Sequence, residues 1–334
     1  MNKKPYAIDI SVLLIFFARP EQTKLVFKQI QLARPSKLFL YQDGARENRP
    51  DDIKNINKCR EIVANIDWDC QVHTLYQKEN YGCDPSEYIA QKWMFATEEM
   101  GIVLEDDDVP SQSFFRFCKE LLEKYKYDER INMICGMNNT EISEHTSYSY
   151  LFSTTGSITG WASWKRVIDQ WTDHVEFVKD EYAIKQFDDR YKYFMDTKQY
   201  VNHCKEHNAS GIAHYESILS SNALLNSRLN IVPKYNMISN IGVTSNSTHS
   251  VNNIKMLPKG IRKIFYMKAY DIEFPLHHPL YVIEDIEFKN RLYRIMGFGH
   301  PFVRIYRKIE SLILRLWYGD FEGISQTIKR RIKE

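Results

Sequence analysis

The sequence predicts an α/β protein whose core is a Rossmann-like, doubly wound and mostly parallel sheet, with a helical C-terminal elaboration. Short apolar runs alternate with helix-compatible segments over the first hundred residues, as in a parallel sheet with crossover helices. Polar residues follow several of these runs directly. The fourth run, residues 102–104, is followed at once by four acids: Glu105, Asp106, Asp107 and Asp108.

The predicted elements come in a regular order. Strands are predicted at residues 12–18, 38–41, 70–75, 102–104 and 133–136. Helices are predicted between the first four strands at residues 22–32, 52–66 and 88–100. Later, residues 157–171 are expected to be a Gly-Trp loop that opens a helix, residues 173–206 to be helical, and residues 214–242 to be a helix and then an extended segment.

Composition sets the broad class of the protein. The chain has 334 residues, 43% of them hydrophobic, and a formal net charge of +2, so a folded protein without a nucleic-acid partner is expected. The six cysteines form no CxxC pair and are expected to be free thiols of a cytoplasmic protein. The apolar run near the N-terminus is interpreted as a buried strand rather than a signal peptide, because Asp9 precedes it and Arg19-Pro20 follows it.

The four consecutive acids need a physical explanation, because adjacent carboxylates repel one another. One interpretation is a solvated acidic loop. The other is a site for a hard cation, Mg²⁺ or Mn²⁺, shared with a diphosphate, and spacing alone leaves both open. Arg19 follows the first strand and Asp43 the second. Because ligands bind at the carboxyl ends of parallel strands, these residues and the acids should converge on one crevice.

Several motifs then resemble a known family. The segment VLEDDDVPSQSFFRFC resembles the Glu-Asp-Asp motif of N-acetylglucosaminyltransferase I and its bacterial relatives, which are inverting, metal-dependent glycosyltransferases of the GT-A fold. The segments LLIFFARPEQTKLVFKQIQLARPSKLFLYQDG, ENYGCDP, GWASWKR and NIVPKYNMISNIGVTSNSTHS are similar to further family segments, in the same order. The resemblance covers roughly residues 10–250.

The resemblance implies a domain organisation. Residues 1–250 would form the GT-A domain, with a nucleotide half over about residues 1–125 and an acceptor half over about residues 126–250. Residues 251–334 would form the C-terminal extension.

The resemblance also implies roles for the donor side of the site. Arg19 and Asp43 would line the nucleotide crevice, Glu105 would support the uridine pocket, and Asp106 would lie near the ribose. Asp107 would hold the metal, and His249 would approach the metal or the diphosphate. Asp108 falls just outside the motif and is expected to be solvated or to support its neighbours.

The acceptor side follows from the same resemblance. The bacterial relatives usually show Trp-Asp at the place of the catalytic base, and the corresponding residues here are Tyr215 and Glu216. Glu216 is therefore the expected base, and His214 beside it is a weaker rival. Trp161 is expected to contact a sugar, whereas Trp164 is expected to be a core residue.

The C-terminal extension carries a basic amphipathic pattern over residues 302–316, and the final IKRRIKE adds four cations. Two interpretations stay open. The helix packs on the domain, or it docks on an anionic membrane, at the inner face of the cell membrane.

The expected function is an inverting transfer of a sugar from a nucleotide-diphosphate donor, with UDP as the first choice. The acceptor would be a glycan or lipid-linked glycan of a bacterial surface polysaccharide. One alternative is a sugar-1-phosphate nucleotidyltransferase, which would usually show a Gly-rich loop after the first strand, and residues 18–24 contain no glycine. Another is a non-catalytic protein that binds glycans or nucleotides on the same fold.

Overall fold

The computed structural model describes residues 3–243, 254–321 and 323–325. The strands are β1 Ile8–Phe16, β2 Pro35–Gln42, β3 Gln71–Tyr76, β4 Met100–Glu105, β5 Asp108–Pro110, β6 Ile131–Cys135, β7 Tyr150–Ser153, β8 Trp161–Trp164, β9 Leu229–Pro233 and β10 Ile238–Asn240. The α-helices are α1 Pro20–Ala33, α2 Pro50–Val63, α3 Cys83–Phe95, α4 Gln112–Lys124, α5 Lys165–Ile168, α6 Glu181–Tyr191, α7 Thr197–Ser210, α8 Tyr215–Leu225, α9 Lys259–Arg262, α10 Ile286–Met296 and α11 Pro301–Trp317. Short 3₁₀-helices cover Glu176–Lys179 and Ile254–Met256.

Eight strands form one twisted sheet in the order β3-β2-β1-β4-β8-β6-β9-β7. Strands β3, β2, β1 and β4 are parallel, and β6 pairs with β9 in parallel. Strand β8 runs antiparallel between β4 and β6, and β7 runs antiparallel at the edge. The short strands β5 and β10 form a separate antiparallel pair. The predicted α/β, Rossmann-like fold with a helical C-terminal part is confirmed.

Strand register places the candidate site. Ile15 of β1 lies opposite Tyr41 of β2 on one side and opposite Glu105 of β4 on the other. These three strands therefore end at nearly the same level, and the residues that follow them share one edge of the sheet. Residues 12–16 of β1 and 102–104 of β4 are continuous apolar runs, as expected where both faces of a parallel sheet are covered.

The segment GWASW differs from its prediction, since residues 161–164 form a strand rather than a loop. This strand lies between β4 and β6, and all four residues are buried. The Trp164 indole N–H donates to the Leu122 carbonyl over 2.9 Å, so Trp164 is a core residue, as predicted.

The remaining expectations concern the helices and the cysteines. Helices α6 and α7 occupy the polar segment predicted to be helical, and α11 covers the predicted C-terminal amphipathic helix. The six cysteines are all free thiols. Among the residues that the structure describes, no helix is both long and apolar enough to cross a bilayer.

Candidate functional site

The four consecutive acids form a buried turn rather than a solvated loop. Strand β4 ends at Glu105, and β5 begins three residues later at Asp108. Asp106, Asp107 and Asp108 are only 2%, 8% and 1% exposed. Of the two expectations for Asp108, solvation is wrong and support of its neighbours is right. Its Oδ2 accepts backbone N–H groups of Glu105 at 3.2 Å and Gly160 at 2.8 Å, so Asp108 supports the turn.

Arg19 neutralises part of this turn. It follows β1 directly and precedes Pro20, the first residue of α1. Its Nη1 donates to Asp107 Oδ2 over 2.9 Å, and its Nη2 donates to Asp106 Oδ1. Burial lowers the pKa of Arg19, but the two carboxylates outweigh burial and raise the pKa above its ordinary value. Arg19 therefore stays a cation at the base of the turn.

A fifth carboxylate, which the sequence analysis missed, comes from α3. Glu87 is 4% exposed, and its Oε2 accepts a hydrogen bond from Gln91 Nε2 over 3.0 Å. Glu87, Ala90, Gln91 and Met94 share the buried face of α3. Two polar residues on an inward-facing helical stripe are the signal that could have identified Glu87 from the sequence. We call Glu87, Glu105, Asp106, Asp107 and Asp108 the acid cluster.

The acid cluster holds more negative charge than Arg19 can balance. Burial raises the pKa of Glu87 well above its ordinary value, and Asp108 and Asp106 raise it further. Burial and the Glu87 carboxylate do the same to the pKa of Glu105. The pKa values of Asp106 and Asp108 are also raised, mainly by burial. Such a cluster must bind either protons or an additional cation.

A cavity of about 500 Å³ opens beside the acid cluster, at the carboxyl ends of β1 and β2. Its walls include the four residues predicted to contact a nucleotide: Arg19, Asp43, Glu105 and Asp106. Within the described chain, the hydroxyls of Tyr41 and Ser86 in these walls are buried without a well-formed hydrogen bond, so both are polar groups that a ligand could satisfy after a small movement. The structure therefore brings the predicted donor residues together.

Asp43 also stabilises a loop at the wall of this cavity. Its carboxylate accepts the Asn80 side-chain amide at 2.8 Å and the backbone N–H groups of Tyr81 at 2.9 Å and Gly82 at 3.0 Å. Despite these bonds, burial raises the pKa of Asp43. The side chain thus holds the loop over residues 80–82 against the end of β2 and shapes the cavity wall.

Helix α8 brings Tyr215 to the acid cluster. Tyr215 is 3% exposed, and burial and then Glu105 and Glu87 raise its pKa well above the ordinary value. Glu216 follows in the first turn of α8 and is exposed. His214 Nδ1 lies 3.4 Å from Asp84 Oδ2, which ties the start of α8 to the start of α3. Glu216 therefore lies next to a residue that packs near the acids.

Four of the predicted site residues that the structure describes do not line the cavity: Asp107, Trp161, Tyr215 and Glu216. Trp161 is 2% exposed in the sheet, and its ring packs against Trp171 with the centroids 6.3 Å apart. Because the ring is buried in the core, it offers no exposed face to a sugar. His249 lies outside the described residues.

The region around Asp107 limits how a metal could bind. Among the described residues, no three His, Cys, Asp or Glu side chains are already arranged around a metal position. Mg²⁺ and Mn²⁺ often take only one or two protein carboxylates and complete their shell with phosphate oxygens and water. The excess of buried carboxylate fits such an ion. A Cβ at position 242 would overlap Asp107 Oδ2 unless the carboxylate moved.

Comparisons with known proteins leave the function open. No family model and no curated protein matches this chain. An apo UDP-glucose pyrophosphorylase structure covers 70% of this chain and 93% of its own, with 8% identity and a TM-score of 0.33. The 4-diphosphocytidyl-2C-methyl-D-erythritol synthase of Anaerococcus prevotii covers 65% and 98%, with 12% identity and a TM-score of 0.29. The glycosyltransferase GlyE of Streptococcus pneumoniae covers 56% and 39%, with 9% identity and a TM-score of 0.28. These similarities are too low to carry an argument about function, which rests on the site itself.

Proposed function

We propose that this protein is an inverting, metal-dependent glycosyltransferase of the GT-A type. It would transfer a sugar from a nucleotide-diphosphate donor to a glycan or lipid-linked glycan acceptor. A UDP-sugar is the first donor to test. The observation that carries the proposal is the convergence of Arg19, Asp43, Glu105 and Asp106 on one cavity beside a buried excess of carboxylates.

The donor side of the proposal follows from the cavity walls. A volume of about 500 Å³ suits a small polar ligand such as a nucleotide. Tyr41 and Ser86 offer hydroxyls, and Glu105 offers a carboxylate that can accept from a base or ribose. Arg19 supplies a fixed positive charge for a phosphate oxygen, since its guanidinium lies 20% exposed at the edge of the acid cluster.

A divalent cation, Mn²⁺ or Mg²⁺, would be held by Asp107, with Asp106 and His249 as further candidates. When bound, the ion would stabilise the negative charge of the departing diphosphate. The residues of the chain do the rest of the positioning. Asp108 fixes the turn through two backbone N–H groups, and Gly242 lets the chain pass directly over the Asp107 carboxylate.

Glu216 is the proposed base. An inverting transfer needs one carboxylate next to the acceptor hydroxyl, where it removes the proton as the oxygen attacks the anomeric carbon. Glu216 is exposed at the start of α8, whereas the members of the acid cluster are buried or half-buried. Glu216 is therefore open to an acceptor that arrives from solvent. Tyr215, between Glu216 and the acids, would form part of the floor of the acceptor site.

The connection between β1 and α1 argues against the nucleotidyltransferase alternative. Only Phe17, Ala18 and Arg19 separate β1 from α1. Such a short connection without glycine cannot wrap its backbone N–H groups around a triphosphate. A cationic side chain, Arg19, stands there instead.

The test is a calorimetric titration of UDP into the purified protein, first with Mn²⁺ and then with EDTA. We expect binding only with Mn²⁺, and at least tenfold weaker binding for Asp107→Asn. Asp69→Asn is the control, because Asp69 is an exposed aspartate that does not line the cavity.

Three results would contradict parts of the proposal. Equal UDP affinity in Mn²⁺ and in EDTA would show that nucleotide binding does not require a metal ion. Unchanged binding by Asp107→Asn would remove Asp107 as its ligand. If UDP, CDP, GDP and dTDP all failed to bind, the nucleotide donor itself would be wrong.

A further inference from the structure

Helix α11 has an orientation opposite to that of an ordinary surface helix. Surface helices turn their apolar stripe to the core and their charged side to water. Here the half-buried side of α11 is formed largely by polar and charged residues, including Arg304, Arg307, Glu310 and Arg315. The apolar side faces solvent, and none of the helix residues is fully buried.

Polar contacts, one on each successive turn, hold α11 in this orientation. Arg304 Nη2 donates to Gln199 Oε1 over 2.8 Å, and Arg307 Nη2 donates to the Arg294 carbonyl over 3.2 Å. Glu310 Oε1 accepts the backbone N–H of Lys259 at 3.0 Å. Rotating the apolar side inward would break all three contacts.

The outward side is a continuous apolar face. At 100° per residue, eight apolar side chains fall within an arc of about 140°. All eight are between 48% and 85% exposed, and they include Phe302, Ile305, Ile309, Leu312, Ile313 and Trp317. Scattered apolar residues on a surface need no explanation, but a contiguous face of this kind marks a binding surface. We call it the outer face of α11.

A basic cavity of about 780 Å³ adjoins the outer face. Its walls carry six cations: Lys259, Lys263, Lys268, Arg291, Arg294 and Arg307. In the described part of the chain none of the six forms an ion pair, and the ion pairs nearby involve Lys289, Arg304 and Arg315 instead. The walls also carry two acids, Glu141 and Glu310, which accept hydrogen bonds from the Tyr270 hydroxyl and the Lys259 backbone N–H. The six cations therefore still outnumber the acids by four.

Tyr306 joins the two features. It is 66% exposed on the outer face of α11, and it also lines the basic cavity. A ligand at this position meets apolar side chains on one side and an excess of cations on the other. The boundary of a bilayer offers the complementary pair of groups: acyl chains for the apolar side chains and phosphate groups for the cations.

We propose that the C-terminal region is a docking surface for an anionic lipid bilayer. The outer face of α11 lies in the interface, and the basic cavity holds lipid phosphate groups. Phe302 and Trp317, near the two ends of the face, are aromatic residues of the kind that anchor proteins at the interface. A second copy of this chain is a less favourable partner, because its six cations would repel the six cations of the first copy. The proposal does not depend on the proposed glycosyl transfer.

The test is flotation of the full chain, without nucleotide, with vesicles of phosphatidylcholine alone or with about one-third phosphatidylglycerol. We expect binding to the anionic vesicles and at least tenfold weaker binding to the neutral ones. Ile309→Glu with Ile313→Glu should reduce binding at least tenfold, since both side chains sit on the outer face. Lys263→Glu with Arg291→Glu should do the same, at about fivefold for each cation lost.

Controls separate docking from folding and from other occupants. Leu32→Glu on α1 is the matched apolar-to-acid change, because Leu32 is 56% exposed and Ile309 and Ile313 are 54% and 57% exposed. Its binding and the melting temperatures of all variants should stay at the wild-type level.

Three outcomes would overturn the proposal. In one, no flotation occurs with anionic vesicles. In another, light scattering shows a dimer that Ile309→Glu dissociates. In the third, inorganic pyrophosphate raises the melting temperature through Lys263 and Arg291 while vesicles stay unbound, which would make the cavity a site for a soluble anion.

Discussion

The acid cluster and the basic cavity both concentrate charge of one sign, but at different depths. Asp106, Asp108 and Glu87 are at most 4% exposed, and Arg19 pairs with Asp106 and Asp107 of the same cluster, whereas Lys263 and Arg291 are exposed. Buried like charges cost folding free energy because water cannot screen them. Exposed like charges cost little. Substitutions in the acid cluster should therefore change the free energy of unfolding, whereas substitutions in the basic cavity should change only ligand binding.

The largest expected effect concerns Glu216, the exposed acid beside the buried ones. If Glu216 is the base, Glu216→Gln should lower sugar transfer by about 10²–10⁴-fold and leave both nucleotide affinity and stability unchanged. Single-turnover transfer from each candidate UDP-sugar, together with UDP titration, measures the two quantities.

The control for this change is Glu181→Gln, since Glu181 is also an exposed acid in the first turn of a helix. Near-full transfer by Glu216→Gln would end its assignment as the base. His214→Gln would then be the next variant to measure.

The second prediction removes the counterion of the acid cluster. Arg19→Met should lower the free energy of unfolding by about 3–5 kcal/mol in EDTA, because it leaves several buried carboxylates without a partner. Mn²⁺ should restore part of the loss. Urea unfolding with and without Mn²⁺ gives both values.

Arg130→Met is the control, because Arg130 pairs with Asp128 over 2.7 Å and the two side chains are 63% and 20% exposed. Its loss should stay below about 1 kcal/mol. Equal losses for the two variants would show that depth does not distinguish these ion pairs.

Much of the acid site could be predicted from the sequence, because its parts are local. Buried parallel strands are continuous apolar runs, and polar residues that follow them must meet at one edge of the sheet. Arg19, Asp43, Glu105 and Asp106 were found in this way, and they line one cavity. A net charge of +2 for the whole chain, by contrast, conceals both charge clusters.

The features that were missed depend on long-range partners. The sequence left Asp108 open between solvation and support, because its partner Gly160 comes 52 residues later in the chain. Trp161 sits in a four-residue strand that is too short for its pattern to differ from a loop. Periodicity shows which residues of α11 share a face, but it cannot show that the face turns outward, because residues of α7, α9 and α10 set that orientation.

The third prediction tests the like-charge excess in the acid cluster directly. Glu87→Gln keeps the shape and removes one buried charge, so it should stabilise the metal-free protein by about 1–2 kcal/mol at pH 8. The folded-state pKa of Glu87 is raised, so the folded protein holds an extra proton above the unfolded pKa of about 4.3. Wild-type stability should then fall as pH rises from about 4.3, and Glu87→Gln should flatten this fall.

Unfolding in urea at pH 5 and pH 8, in EDTA, checks this sign. The gain from Glu87→Gln should be smaller at pH 5, where the wild-type carboxyl is protonated. Glu61→Gln on α2 is the control, because Glu61 is exposed. A destabilised Glu87→Gln at pH 8 would mean that its charge is already compensated in the folded protein.

The smallest effect is expected in the basic cavity, where the comparison predicts almost no change in stability. Lys263→Ala with Arg291→Ala should alter the free energy of unfolding by no more than about 0.5 kcal/mol at any salt concentration, since water screens exposed cations. The same pair should weaken binding to anionic vesicles. If the pair instead stabilised the protein by more than about 1 kcal/mol at low salt, the six cations would repel one another as strongly as the buried acids do. Burial would then not explain the difference in stability between the two regions. The basic cavity would need a bound anion for stable folding, as the acid cluster needs Arg19.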